Sequence, residues 1–312
     1  MTLTQLEYII AVYDSGSFSK AAEQCFITQP TLSMQIQKLE DELGIIIFDR
    51  SKKPVKATPI GEKVIEQARY NVQGLRRIKE VVQEHTEEVA GHLRVGIIPT
   101  LAPYLLPLFV PIFLQKYPKV SLSIVELVSE QIMSGLKQNK LDIGLLVTPL
   151  NDSALTETPL FYESFLAYIS TNHPLIHNET IELATLNIEE MLLLSEGHCF
   201  REQVVNICPD NKDVKSGTHL HFESGSLETL KRIVEKNFGY TLLPQLAVLQ
   251  ISEENKRFIK ELQEPKPMRE VSLVVHHTNL SRSLVQAFKE SIVENLPPHI
   301  KANKKKNVIK WL

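Results

Sequence analysis

The chain of 312 residues is 43% apolar and 23% charged, with a formal net charge of −3. That is the composition of ordinary soluble domains, the length predicts two or three of them, and the charge gives no global attraction to nucleic acid or membrane. No apolar run reaches the roughly 18 residues of a membrane span, and MTLTQLEYII carries Glu7 inside its apolar stretch without a basic lead. A cytoplasmic address is expected, and in that reducing setting the three cysteines are free thiols unless two of them form a redox pair.

Leu6, Ile9, Ile10 and Tyr13 recur at helical spacing, and DSGS ends the first predicted helix. Ser17 is placed to cap a short second helix with Phe18, Ala21, Ala22 and Cys25 facing inward. After the turn FITQ, Thr28 caps a third helix, Pro30 sits in its first turn, and Gly44 stops it. Leu32, Ile36, Leu39 and Leu43 form its expected buried stripe. Two helices joined by a tight turn, the second opening on small polar groups, can set a helix N-terminus in a DNA major groove. Gln29, Thr31, Ser33 and Gln35, with Pro30 setting the helix start, would then face bases and phosphates.

IIIFDRSKKPVKATPIGEKV follows as a strand, a turn at Pro54 and a return strand. Arg50, Lys52, Lys53 and Lys56 cluster there, either as a solvated turn or, behind a helix-turn-helix, as a basic wing for DNA. Residues 1–90 hold eleven Lys/Arg against thirteen Asp/Glu, so DNA binding would rest on placement rather than bulk charge. The stretch SFSKAAEQCFITQPTLSMQIQKLEDELGIIIFDR, followed by TPIGEKV, resembles the winged helix-turn-helix of LysR-type transcriptional regulators. The resemblance implies double-stranded DNA as a partner, self-association as a dimer or a dimer of dimers, and contact with RNA polymerase. Met34 stands where that family often carries arginine.

A long helix is predicted from Ile60 to about Val89. Positions 65, 68, 72, 75, 79, 82, 86 and 89 alternate by three and four and are mostly apolar. They form either a short coiled-coil seam between two chains or a face packed on the helix's own domain; the resemblance favours the seam.

Beyond Gly91, HLRVGIIPT, VSLSIVEL and LDIGLLVT read as strands alternating with the helices LLPLFVPIFLQKYP and SEQIMSGLKQNK, the pattern of a parallel α/β sheet. ETPLFYESFLAYIS reads as a crossing strand into a second α/β set, and VSLVVHHT with SRSLVQAFKESIVENL as a return to the first. The expected organisation is a DNA-binding domain over 1–58, a linker helix over 59–90, a two-lobed regulatory domain over 91–300 and a frayed basic tail over 301–312. The resemblance makes the regulatory part a periplasmic-binding-protein-like α/β domain with a cleft between its lobes. Thr100 and Ser129 should line it, or act simply as helix caps.

GHCFREQVVNIC places Cys199 at a helix start and Cys208 nine residues on. The helix dipole, with His198 and Arg201 nearby, is expected to lower the Cys199 pKa and favour the peroxide-reactive thiolate. The bland alternative is that both are small buried hydrophobes. A helix through them would separate their backbones by about 13–14 Å, whereas a disulfide needs Cα atoms about 4.4–6.8 Å apart. Bonding the two would therefore remodel the segment. GHCFREQVVNIC, together with IPTLAPYLLP, SLETLKRIV and GYTLLPQLAV, is similar to the peroxide-sensing members of the LysR-type family. That similarity implies hydrogen peroxide as signal, Cys199 as the reacting thiol, Cys208 as its disulfide partner, and cellular thiol reductants for reset. It assigns Thr100, Ser129 and His198 to the peroxide site, with His221 packing beside it. The alternative is a regulator answering to a small anionic metabolite in the cleft. No metal or cofactor is expected, and a thiol peroxidase would leave the first ninety residues without a role.

Overall fold

Three hydroxyl-capped helices open the chain, as a computed structural model describes it for residues 1–84, 89–208, 224–277 and 282–309. Helix α1 (Leu3–Ser15) starts on a reciprocal cap: Thr2 Oγ1 accepts from the Gln5 N–H at 3.3 Å, and Gln5 Oε1 from the Thr2 N–H at 2.8 Å. Ser17 caps α2 (Phe18–Gln24), and Thr28 caps α3 (Gln29–Leu43) by accepting from the Thr31 N–H at 3.4 Å. Gly44, at φ 65°, ends α3 in the left-handed conformation that glycine reaches without strain. The wing is the antiparallel pair β1 (Phe48–Asp49) and β2 (Lys56–Ala57), shorter than the sequence suggests. Helix α4 (Pro59–Glu84) closes the first of two compact units, Met1–Glu88 and Val89–Leu312.

Two expectations for the first unit are corrected. Leu43 is 38% exposed, and Cys25, at the end of α2, is only half-buried. The buried stripe of α3 stops at Leu39, and Glu40 takes the next inward place. The chain reverses at Gly44 and lays backbone N–H groups over the last turn, where they require an acceptor. Glu40 supplies it: Oε1 accepts from Ile47 N at 2.7 Å and Phe48 N at 3.2 Å, and Oε2 from Arg50 at 2.9 Å. Along α4, Ile65, Ala68 and Val72 are buried in this unit's own core with Leu6, Ile9 and Val12. The first half of the expected seam is therefore an intradomain face, and Leu75 is its first exposed member. The side chains at 79, 82 and 86 lie outside the described residues.

The second unit has two lobes strung on one long strand. In chain order it comprises β3 (Gly91–Ile97), α5 (Ala102–Lys116), β4 (Val120–Glu126), α6 (Ser129–Lys137), β5 (Ile143–Thr148), β6 (Leu155–Ile169), β7 (Thr180–Ile181), α7 (Cys199–Ile207), α8 (Leu227–Glu235), β8 (Tyr240–Pro244), β9 (Ile259–Leu262), β10 (Met268–His276), α9 (Arg282–Asn295) and α10 (Pro298–Lys301). The strand order is β4-β3-β5-β10-β6-β9-β7, with β8 also on β6. The first part of β6 pairs with β10, and its last residues pair with β8 and β9, so one strand runs from lobe to lobe. The expected parallel pairing holds for β3 with β4 and β5 and for β7 with β9. β10 instead returns from late in the chain, inserts between β5 and β6, and runs antiparallel to both.

The chain after α10 is not frayed as expected. Its backbone runs beside the start of β10, with Met268 N donating to Asn307 O at 3.1 Å and Ile309 N to Met268 O at 2.8 Å. Lys305 lies 3.6 Å from Glu270, while the side chains of Lys304 and Lys306 are exposed. Lys310 falls outside the described residues.

Glu40→Ala would leave two buried N–H donors unpaired, at a cost of about 1–3 kcal/mol. The urea midpoint of the first unit should drop accordingly, and less in Glu40→Gln, which keeps one acceptor. Unchanged midpoints in both variants would contradict the assigned role of this carboxylate.

Candidate functional site

The register of β6 and β10 sets a charged pair inside the second unit. Arg269 and Glu163 face each other across the two strands, and both are 0% exposed. The guanidinium Nε donates to Glu163 Oε1 at 2.9 Å, and Glu163 Oε2 accepts from Leu246 N at 2.8 Å. A buried ion pair persists only when its remaining donors and acceptors are also matched. Arg269 meets that condition through Thr100, donating to its Oγ1 at 3.1 Å and to its carbonyl at 3.3 Å. Because Thr100 Oγ1 already accepts from arginine, its own O–H remains a donor. The guanidinium also lies over the Phe200 ring at 5.4 Å, and Phe200 stacks on Phe165 with centroids 5.5 Å apart.

Cys199 sits beside this cluster as the first residue of α7, behind the N-cap His198. Its thiol is free and buried. The Ser129 hydroxyl faces it, and Ser129 Oγ has no nitrogen or oxygen partner among the described residues. Burial pushes the Cys199 thiol above its ordinary value. Ser129, the charge of Arg269, and the backbone N–H groups of Phe200 and of Cys199 itself pull the other way without overcoming it. This corrects the expectation of a lowered pKa, because desolvation outweighs the helix N-terminus at a fully enclosed thiol. His198 adds no positive charge: burial lowers its pKa, so the ring is neutral near pH 7. Arg201 is committed elsewhere, donating to Leu194 O at 3.0 Å. The cation felt by Cys199 is Arg269 instead.

Cys208 caps the other end of α7 in extended backbone, free and buried, and burial pushes its thiol up to about 11. The two cysteines stand nine positions apart along α7, a helical rise of about 13–14 Å. Thr100 and Ser129 are each 2% exposed, so they flank an enclosed site rather than line an open cleft, and neither makes a helix-capping bond. A cavity of about 530 Å³ lies off α6, lined by Val125, Leu127, Glu130 and Lys140, with none of the candidate site residues in its wall. His221 lies outside the described residues. Sequence reasoning missed Arg269 and Glu163; the available signal was charge inside two largely apolar strands, Arg269 and Glu270 in MREVSLVVH and Glu163 in LFYESFLAYI.

In the first unit, Gln29, Pro30 and Thr31 are exposed at the start of α3, as are Met34 on the same helix and Lys53 in the wing turn. Lys52 is exposed 3.5 Å from Asp49. Arg50 is a brace: it donates to Ser33 Oγ at 3.1 Å and to Glu40, and lies 5.0 Å over the Phe18 ring. Gln35 turns inward, with its backbone and side-chain oxygens each 3.4 Å from Gln5 Nε2.

Residues 3–62 match the family described as bacterial regulatory helix-turn-helix protein, lysR family, and residues 86–297 match the LysR substrate binding domain. The chain is 34% identical over 300 residues to the hydrogen peroxide-inducible genes activator of Dickeya chrysanthemi, covering 96% of this chain and 97% of that protein. Full-length OxyR C199D from Pseudomonas aeruginosa superposes with a TM-score of 0.79 at 33% identity, covering 94% of this chain and 98% of that one. A mutant OxyR of Corynebacterium glutamicum with H2O2 bound matches at a TM-score of 0.62 and 27% identity, covering 98% of each chain.

Both buried thiols titrate above the ordinary value of 9.0. A group whose folded pKa is raised contributes stability that is complete below its unfolded value and is lost as pH rises through the folded one. The reduced protein should therefore hold its denaturation midpoint up to about pH 9 and lose stability toward pH 11. Cys208→Ala should flatten part of that fall when midpoints are followed across the range under reducing conditions. An identical slope in the variant would place the loss elsewhere.

Proposed function

The chain belongs to the LysR family of bacterial helix-turn-helix transcriptional regulators, and we propose that it is a peroxide-responsive member switched by a Cys199–Cys208 disulfide. The observation that carries this reading is the placement of two free, buried thiols at opposite ends of one short helix, with the Ser129 and Thr100 hydroxyls and the Arg269 guanidinium gathered at Cys199. Relatives named as hydrogen peroxide-inducible activators, and one solved with H2O2 bound, support it.

At rest the enclosed site keeps Cys199 protonated, which protects it from general oxidants. Peroxide entering beside Ser129 and Thr100 takes up their hydroxyl donors, and Arg269 supplies a fixed positive charge for the negative charge that develops. The Cys199 thiol gives up its proton and its sulfur attacks one peroxide oxygen. The O–O bond breaks, the second oxygen leaves as water with that proton, and Cys199 becomes a sulfenic acid. The Cys208 thiol then attacks this sulfur and displaces a second water, so one peroxide oxidises two thiols to one disulfide. Two-electron reduction by cellular thiols reverses the change. His198, neutral at the lip of the helix, serves as a hydrogen-bonding group there.

The α7 helix cannot survive the bond, given its length. Its remodelling in the regulatory unit changes how copies of the chain assemble on DNA, and with that the contact made to RNA polymerase. Exposed Gln29, Thr31, Lys52 and Lys53 supply the DNA face, braced by Arg50, Ser33 and Glu40.

Cys199→Ser should abolish the change in DNA footprint that peroxide causes, whereas Cys208→Ser should still form a sulfenic acid at Cys199 that a dimedone-type trap captures. Cys25→Ser should respond like the parent. A trapped sulfenic acid at Cys208 in Cys199→Ser would reverse the assignment, and a footprint unaffected by either change would remove it.

A further inference from the structure

Gln203 stands in the middle of α7 and is 0% exposed. Its Nε2 donates to the carbonyl of Ile309 at 3.0 Å, and its Oε1 is buried with no hydrogen-bond partner among the described residues. A glutamine in the buried face of a helix that otherwise packs Phe200, Val204 and Ile207 is out of place unless it holds something. What it holds is the segment after α10.

That segment is fixed independently of α7. Asn303 Nδ2 donates to Tyr162 O at 2.9 Å and to Gln245 Oε1 at 3.0 Å. Asn307 Nδ2 donates to Pro265 O at 3.0 Å and Lys266 O at 3.3 Å, and Val308 pairs in parallel with Met268. Ile309 packs its side chain on the core of the unit. The segment is therefore a strap tied to β6 and β10, elements that need no rearrangement when the cysteines bond, and its last described carbonyl reaches across to the helix that does.

We propose that residues 303–309 are a strap that holds α7 in its helical, reduced form, and that Gln203 is the positioning residue through which it acts. This rests on the disulfide reading above. Unwinding α7 must detach Gln203 from Ile309 O, so the strap resists the oxidised form and sets how much peroxide is needed to reach it. Among the described residues Gln203 makes one of its bonds, so the hold is firm enough to keep the helix yet light enough to release it.

The test uses the full chain with Gln203→Leu, a chain ended after Lys306, and the two changes combined. Amide exchange of the reduced protein across residues 200–207 should quicken by about five- to tenfold in each single variant, the worth of one hydrogen bond. The combined protein should be no faster than either, since both changes remove the same contact. The thiol–disulfide equilibrium against glutathione should shift toward the disulfide by the same factor, which a purely structural role for Gln203 would not produce. Exchange across α7 equal to the parent in both single variants would overturn the strap, as would faster exchange with an unshifted equilibrium. A parent chain that forms no Cys199–Cys208 disulfide with peroxide would instead remove the disulfide reading, and the exchange arm, which needs no peroxide, would still decide whether the strap holds α7.

Discussion

A helix of nine residues cannot bring its own ends within reach of a disulfide, and this one carries a cysteine at each end. The helical rise is about 13–14 Å, against the roughly 7 Å between Cα atoms that a disulfide tolerates. Helix and bond exclude each other, so under the proposed switch the segment takes two discrete structures rather than a range of them. The reduced one is held by what α7 buries. Phe200, Val204 and Ile207 each contribute about 1.5–3 kcal/mol on burial, and about 5–9 kcal/mol together. Phe200 is further fixed between Phe165 and Arg269. In the proposed switch, the reduction of peroxide is the chemical drive set against that packing.

The Arg269–Glu163 pair gives the site its second property. It is wholly buried, lies where β6 passes between the lobes, and touches Thr100 and Phe200 as well as its partner. The pair leaves Arg269 charged in a place from which water is excluded, and a charge there acts over several ångströms with little screening. Cys199 feels that charge and still stays above its ordinary pKa, because enclosure costs a thiolate more than one cation and one hydroxyl return. Under the proposed mechanism the result is a thiol that is quiet at rest and supported once negative charge begins to form. That combination suits a sensor better than a permanently ionised cysteine would.

Local signals were legible in the sequence and long-range ones were not. Thr28, Pro30 and Gly44 marked both ends of α3, because capping and left-handed backbone are decided within a few residues. The stretch GHCFREQVVNIC read as a helix starting at Cys199, and a helix from there to Cys208 is too long for a disulfide. Glu40 was hidden because its donors, Ile47 and Phe48, lie beyond a chain reversal. Arg269 and Glu163 are more than a hundred residues apart, and only the register of β6 with β10 brings them together. The lysine-rich end reads as a solvated tail, and the side chains of Lys304, Lys305 and Lys306 are exposed, but the backbone around them lies against β10. Periodicity along α4 could not tell an intradomain face from a seam between chains, and Ile65, Ala68 and Val72 belong to the former.

Hydrogen exchange through α7, compared between reduced and peroxide-treated protein, tests the account most directly. Amides from about 200 to 208 should be protected while both thiols are free and should lose that protection once mass analysis shows the Cys199–Cys208 bond, as a helix of this length must open to close it. An oxidised chain that carries the disulfide and keeps the reduced protein's exchange across that segment would contradict the account.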